Sequence, residues 1–156
     1  MNSRNHPLSY EEFKQIYSRV PRVSVDLVIQ TPQGIVLTLR NLPSWNNLWH
    51  FPGSTVLYQE SVEDAVKRTA REEAGISINI KKLLGYLEYP SEKEQRGFGS
   101  TISLLFLCEL VEGILTPDDE ASQIGTFSNI AKLPLNIVME HRPIIEKILK
   151  GDELSL

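Results

Sequence analysis

The sequence predicts an α/β fold, a mixed β-sheet sandwiched between helices, from three observations. Apolar, strand-like runs stand on both sides of one well-capped central helix. A second helix closes the chain. At 156 residues, 41% hydrophobic and 23% charged, the chain suits one globular domain with a single core rather than a disordered or membrane-spanning polypeptide.

Each element follows from local signals. Ser9 and Glu12 form a capping-box pattern ahead of YEEFKQIYSRV, so a short helix is expected from about Tyr10, ending before Pro21. RVSVDLVIQ (22–30) alternates as a strand does, TPQG (31–34) supplies the turn, and IVLTLR (35–40) pairs back as a hairpin. NLPSWNN (41–47) reads as a loop, with short extended pieces around the Pro52–Gly53 break. Ser61 as N-cap, Asp64 at the third helical position and Gly75 as a stop bound a helix over 62–74. ISINIKKLLGYLEYP (76–90) and STISLLFLCELVEG (100–113) read as long strands, joined by a charged loop, SEKEQRGFG. Residues 116–134 read mostly as loop with a short strand near Thr126–Phe127, and a last helix covers His141 to Lys150. The chain divides into an N-terminal helical arm, 1–20, and a catalytic-type domain, 21–156.

Charge and cysteine content exclude several functions. A net charge of -4 argues against non-specific nucleic-acid binding, which needs a basic face. A polyanionic substrate then requires a metal or local arginines to offset repulsion. Cys108 is the single cysteine, so neither an internal disulfide nor a cysteine-rich zinc site is available, and it reads as a buried core thiol. MNSRNHPLSYEEF has no apolar signal region and no run reaches transmembrane length, so a cytoplasmic protein without a membrane partner is expected. A homodimer interface is one role open to the N-terminal helix.

The chemistry concentrates in residues 49–76, WHFPGSTVLYQESVEDAVKRTAREEAGI. Side chains three and four apart share a helix face. Arg68 can therefore pair with Glu72, and position 69 lies under both Glu72 and Glu73. Ala65, Val66 and Ala70 suit the face toward the sheet, while Glu60 can fold back on Arg68 or on a metal. Magnesium asks for oxygen ligands and keeps several waters, so two or three carboxylates plus substrate phosphates suffice.

From Ser54 through Glu60, Arg68, Glu72, Glu73, Gly75 and Ile76 the segment resembles the Nudix box, G-x5-E-x7-R-E-U-x-E-E-x-G-U, led in by Trp49, Pro52 and Gly53. The resemblance covers roughly 21–150. It implies the Nudix-type α/β/α sandwich and magnesium-dependent hydrolysis, manganese being an alternative, of a nucleoside diphosphate linked to another group. By position, Glu72 and Glu73 would be metal ligands and catalytic carboxylates. Glu60 would be an auxiliary ligand, Ser54 a carbonyl ligand, and Arg68 the arginine that braces the helix.

Two positions depart from the pattern. Ser54 replaces a glycine, which its carbonyl tolerates. Thr69 replaces a glutamate that binds metal or accepts a proton in many members, and threonine is no base near neutral pH. Loss of that glutamate is also a feature of the GDP-mannose mannosyl hydrolase branch, which the N-terminal helix and VSVDLVIQTPQGIVLTLR resemble. Arg40 matches a phosphate-contacting arginine there. That branch carries a glutamine ligand and a histidine base late in the chain, where Ala121 and Ser122 stand here, and it lacks the equivalent of Glu72.

The base must then come from outside the box. Glu120 is the leading candidate and Asp119 the next, with Glu88, Glu92 and Glu94 weaker by position. Of the three histidines, His6 reads as solvated, His50 as a strand residue beside Trp49, and His141 as a surface residue. Arg40, Trp49 and Tyr89 are the expected substrate-binding residues. Trp45, Tyr86 and Phe98 are further stacking candidates, and Arg96 is a residue that could close over substrate. A nucleotide sugar is the favoured substrate. The alternative is a nucleotide-binding or regulatory module with decayed catalysis, motivated by Thr69 and the absent late histidine.

Overall fold

The computed structural model describes residues 7–154; His6 lies outside them. In chain order the elements are α1 (Tyr10–Tyr17), β1 (Arg22–Thr31), β2 (Gly34–Arg40), β3 (Trp49–His50), β4 (Gly53–Thr55), α2 (Val62–Ala74), β5 (Ile76–Glu88), α3 (Glu92–Arg96), β6 (Thr101–Gly113), β7 (Ala121–Phe127) and α4 (Arg142–Lys150). The sheet is mixed, with the path β3-β2-β1-β6-β5, β4 paired to β1 and β7 paired to β2. β1 and β6 run parallel, and the other pairings are antiparallel.

The alternation in β1 sends its side chains to two cores, as period-2 geometry requires. Val25, Leu27 and Ile29 pack with Ala65, Val66, Ala70 and Ala74 of α2 and with Cys108, all buried. Val28 faces the other side, where Ile144 and Ile145 of α4 close over Leu37, Phe51 and Leu105. Small residues on the inner face of α2 let the helix lie close to the sheet. The expected α/β sandwich around a mixed sheet is what forms.

β1 and β2 stay paired only beside their hairpin, at Gln30–Ile35 and Thr31–Gly34. Farther back, β1 pairs instead with residues 53–55, and β2 pairs with β3 and β7. This parting of the hairpin arms inserts the Pro52–Gly53 segment beside the middle of β1, against Asp26, and opens a cleft there.

Three expectations need correction. SEKEQRGFG is not simply a loop, since it contains α3. Its local signal is weak because tertiary contacts hold it: Trp45 donates from its backbone N–H to Gln95 (2.8 Å) and from Nε1 to Ser91 (3.0 Å). β7 is longer than a short strand at 126–127 because it follows β2 along most of its length. His141 is 2% exposed, not a surface residue. α1, by contrast, starts and stops as expected, with both capping-box hydrogen bonds formed. Its Phe13 is buried against Phe98.

Leu27 sits at the centre of the α2-side core and is fully buried. Leu27→Ala is expected to cost about 3 kcal/mol, transfer and cavity terms together, read as a lower denaturant midpoint at unchanged slope.

Candidate active site

The box folds as a loop tied to a helix. Ser61 accepts the Asp64 N–H and caps α2, and Gly75 ends it in the left-handed conformation (φ 70°). Arg68 knits the two parts together. Its Nε donates to Glu60 Oε1 (2.7 Å) and its Nη2 to Glu60 Oε2 (3.0 Å) and to the Thr55 carbonyl (2.9 Å). Its Nη1 donates to Glu72 (3.2 Å). These charged hydrogen bonds hold the Glu60 carboxyl below its usual range, and the two glutamates raise Arg68 in turn.

The two departures from the box meet in space. Thr69 is fully buried and donates to the Ala65 carbonyl one turn back (2.7 Å). Its oxygen is therefore the acceptor in the 2.5 Å contact with the Ser54 hydroxyl. Ser54 in turn accepts from Arg68 Nη1 at 3.4 Å. A neutral chain from Arg68 through Ser54 and Thr69 to Ala65 thus occupies the place where the pattern sets a glycine and a carboxylate.

Glu73 stands at the junction of two clefts and lines both. It accepts the Gly53 N–H at 2.9 Å. Burial raises its carboxyl well above the usual value, partly opposed by that hydrogen bond, and the charges of Asp118 and Glu120 add to the rise. Asp118 is itself raised by burial, with Glu120 and Asp119 adding to the rise. On the box side, Ser54, Glu72, Glu73, Asp118, Asp119 and Glu120 line one acidic cleft.

The second cleft runs inward over β1. Arg22, Arg40 and Arg96 line it, with Asp26, Trp45, His50, Tyr89, His141, Glu73 and Glu120. Its floor is a polar chain. The Phe51 N–H donates to His141 Nδ1 (3.1 Å), so a neutral His141 carries its proton on Nε2 and donates to Tyr89 Oη (2.5 Å). Tyr89 then donates to Asp26. Burial lowers His141, and burial together with Arg40 lowers His50 well below its usual value. Both shifts favour the neutral ring. Gly53 suits this position, because a Cβ would meet the Val25 backbone carbonyl at 2.8 Å as well as the Asp26 carboxylate.

Of the expected site residues, Ser54, Glu72, Glu73 and Glu120 share the acidic cleft, and Glu60 lies behind it on Arg68. Arg40 and Tyr89 line the inner cleft. Trp49 does not; it packs on Phe127, ring centroids 5.1 Å apart. Tyr86 is exposed, and Phe98 packs against α1. Glu92 is buried and accepts from Thr101 and Arg96. Sequence reasoning did not select Arg22, Asp26, His50 or His141. Asp26 alone left a signal, as a charge within an otherwise apolar strand.

Among the described residues no three His, Cys, Asp or Glu side chains form a ready-made metal cage. The donor chemistry nevertheless fits a magnesium ion, which takes one or two carboxylates and completes its shell with water and phosphate. Glu72, Glu73 and Ser54 line the acidic cleft and would be the residues to hold such an ion, and its charge would offset the acids that add to burial in raising Glu73.

This layout of sheet, loop and helix defines a Nudix-type hydrolase fold. The NUDIX domain model matches residues 20–148, and the chain belongs to that family. It is 33% identical over 120 residues to the low-salt glycan biosynthesis protein Agl8 of Haloferax volcanii, covering 75% of this chain and 77% of that one. It is 31% identical over 130 residues to an ADP-ribose pyrophosphatase of Methanocaldococcus jannaschii, covering 83% and 74%. Among solved structures, a MutT NUDIX hydrolase from Burkholderia pseudomallei superposes with a TM-score of 0.73 at 24% identity, over 83% of this chain and 98% of that one. Among the described residues no helix is long and apolar enough to cross a membrane.

The raised Glu73 has a consequence for metal-free protein. A carboxyl whose folded value lies above its unfolded value favours folding at low pH, and that contribution is lost as pH rises through the folded value. In chelator, wild type is therefore expected to lose stability relative to Glu73→Gln as pH climbs from acid to mildly alkaline. Thermal melts of both proteins across that range read the difference, and parallel curves would contradict a buried, raised Glu73.

Proposed function

We propose that this protein is a divalent-metal-dependent hydrolase of a nucleoside diphosphate linked to another moiety, with a nucleotide sugar favoured. The observation that carries the reading is the position of Glu73, buried where an acidic cleft meets an arginine-lined one. Such a carboxylate set would hold a magnesium ion, whose charge would polarise phosphoryl oxygens and help orient the attacking water.

The protein's own residues supply the rest. Glu72, Glu73 and the Ser54 carbonyl are the proposed ligands, with manganese an acceptable substitute. Glu60 fixes Arg68 and so sets the helix edge. Arg40, its guanidinium held by the Ser44 carbonyl (2.6 Å), offers its remaining donors to phosphate. Tyr89 and Trp45 bound the inner cleft. Glu120, which lines both clefts, is the proposed base, because Thr69 cannot serve near neutral pH.

Support for a sugar-linked substrate comes from the similarity of 1–40 to the GDP-mannose mannosyl hydrolase branch. The glycan-biosynthesis and ADP-ribose relatives also point to sugar-bearing compounds. Attack at phosphorus is favoured over attack at the sugar carbon, since Ala121 and Ser122 stand where that branch has its ligand and histidine base. We take residues 1–20 as an arm of this domain, the protein as cytoplasmic, and a homodimer through α1 as its assembly.

The second reading is a nucleotide-binding module with weakened catalysis. The neutral Ser54–Thr69 pair in place of a carboxylate favours it.

One experiment separates these. With magnesium and a panel of nucleotide sugars and nucleoside triphosphates, turnover of a nucleotide sugar is expected. Glu73→Gln should lower it about a hundredfold or more. In oxygen-18 water, label should appear on a phosphate group of a product and not in the free sugar. Full activity in the variant excludes the proposed metal site. Calorimetric nucleotide binding without turnover, under varied metals, would establish the second reading instead.

A further inference from the structure

The inner cleft is lined by Arg22, Arg40 and Arg96 together with Asp26, Glu73 and Glu120. Arg40 stands beside Glu120 and Glu73 and feels both charges. Arg22 and Arg96 lie deeper, beneath α1, with their guanidiniums over the Phe13 ring at 5.6 and 5.2 Å. Both lie within ion-pair reach of Glu92, and Arg22 also feels the charge of Asp26. Glu92 Oε1 lies 3.3 Å from Arg96 Nη1 and 3.7 Å from Arg22 Nη2. The other hydrogen bonds of Arg22 go to neutral hydroxyls, Thr101 (3.1 Å) and Thr55 (2.8 Å). Asp26, the next acid in the cleft, is engaged by Tyr89.

Arg96 is the less satisfied of the two. Its side chain is 9% exposed, and Glu92 is the acceptor it reaches, through Nη1. Trp45 and Phe98 flank it, at 5.2 and 6.0 Å from ring centroid to Cζ. Aromatic faces attract a cation but leave its in-plane N–H donors without acceptors. Burial, with Arg22 nearby, brings Arg96 down to about 10. An oxyanion is the group that would satisfy those donors.

We propose that Arg22 and Arg96 form a subsite for an oxyanion on the moiety linked to the nucleoside diphosphate, so that an acidic sugar is preferred to a neutral one. This rests on the hydrolase reading for the substrate but not for the subsite itself. The cleft is bipolar, with carboxylates at the mouth and guanidiniums within. A substrate with its diphosphate at the junction would place a second acid group inward. The oxyanion is either that acid group or free phosphate, and two measurements distinguish them.

The first uses the full chain in chelator, with inorganic phosphate titrated in a calorimeter at constant ionic strength. Wild type is expected to bind, Arg96→Gln to bind about tenfold more weakly or worse, and Arg96→Lys to fall between, keeping charge without the fork. Thermal melts confirm that the variants are folded. The second measures the ratio of kcat/KM for a uronate-linked over a hexose-linked nucleoside diphosphate, on the nucleoside the panel selects. That ratio should exceed one in wild type and fall about tenfold in Arg96→Gln, mainly through KM. Phosphate binding that is absent or unchanged in Arg96→Gln overturns the subsite. Lost phosphate binding with an unchanged ratio overturns the acidic-sugar assignment and identifies free phosphate as the ligand. Absence of all turnover defeats the hydrolase reading, and the calorimetry then decides the subsite alone.

Discussion

The site is organised around the guanidinium of Arg68. A single planar fork takes both oxygens of Glu60, one oxygen of Glu72 and the Thr55 carbonyl. It therefore fixes the loop before α2, the end of β4 and the exposed edge of the helix in one geometry. Arginine suits this role because five donors sit in a rigid plane and stay charged, where lysine would offer a rotatable point charge. Glu60, Glu72 and the end of β4 owe their relative positions to that fork. Glu72 is directed by it, and Glu73, one residue on, turns inward to the Gly53 N–H.

Ser54 and Thr69 are best understood together. Each alone looks like a loss, one of a flexible glycine and one of a carboxylate. In space they are hydrogen-bonded to each other and linked to Arg68. A glutamate at 69 would have to compete for Arg68 with Glu60 and Glu72, and its charge would add to the repulsion already present around Glu73. The hydroxyl pair fills the same buried volume without charge. The negative charge of the acidic cleft thus rests on Glu72, Glu73 and the Asp118–Glu120 segment, on opposite sides of the opening.

Electrostatically, the protein answers its overall acidity by segregation. Three arginines gather in the inner cleft beside Asp26, Glu73 and Glu120, while Glu72 and the Asp118–Glu120 segment line the acidic cleft. The parting of β1 from β2 makes this feasible, because it opens the face of β1 at Asp26 and lets the Pro52–Gly53 segment, Tyr89 and His141 close around it. Without that parting, the cleft floor would be ordinary sheet. α1 then roofs the arginines with Phe13, joining the N-terminal arm to the site.

The linear chain by itself determined the helix of the box, its caps and the pairing of Arg68 with Glu72, because those rest on contacts within one or two turns. It also determined the mixed sandwich, because alternation in 22–30 and the small residues of α2 specify which faces must be buried. Tertiary structure alone decided the inner cleft. Asp26, Tyr89 and His141 are up to 115 residues apart in sequence (141 − 26), and none carries a local pattern that announces the others. His141 looked like a surface residue because a helix start is usually solvated. It is buried because the Phe51 N–H and Tyr89 satisfy both ring nitrogens. Trp49 looked like a stacking residue because it adjoins the box, yet strand alternation turns it to Phe127 and away from the cleft. Short-range hydrogen bonds and burial patterns are written in adjacent residues, whereas a cleft is made by side chains that meet only once the sheet has formed.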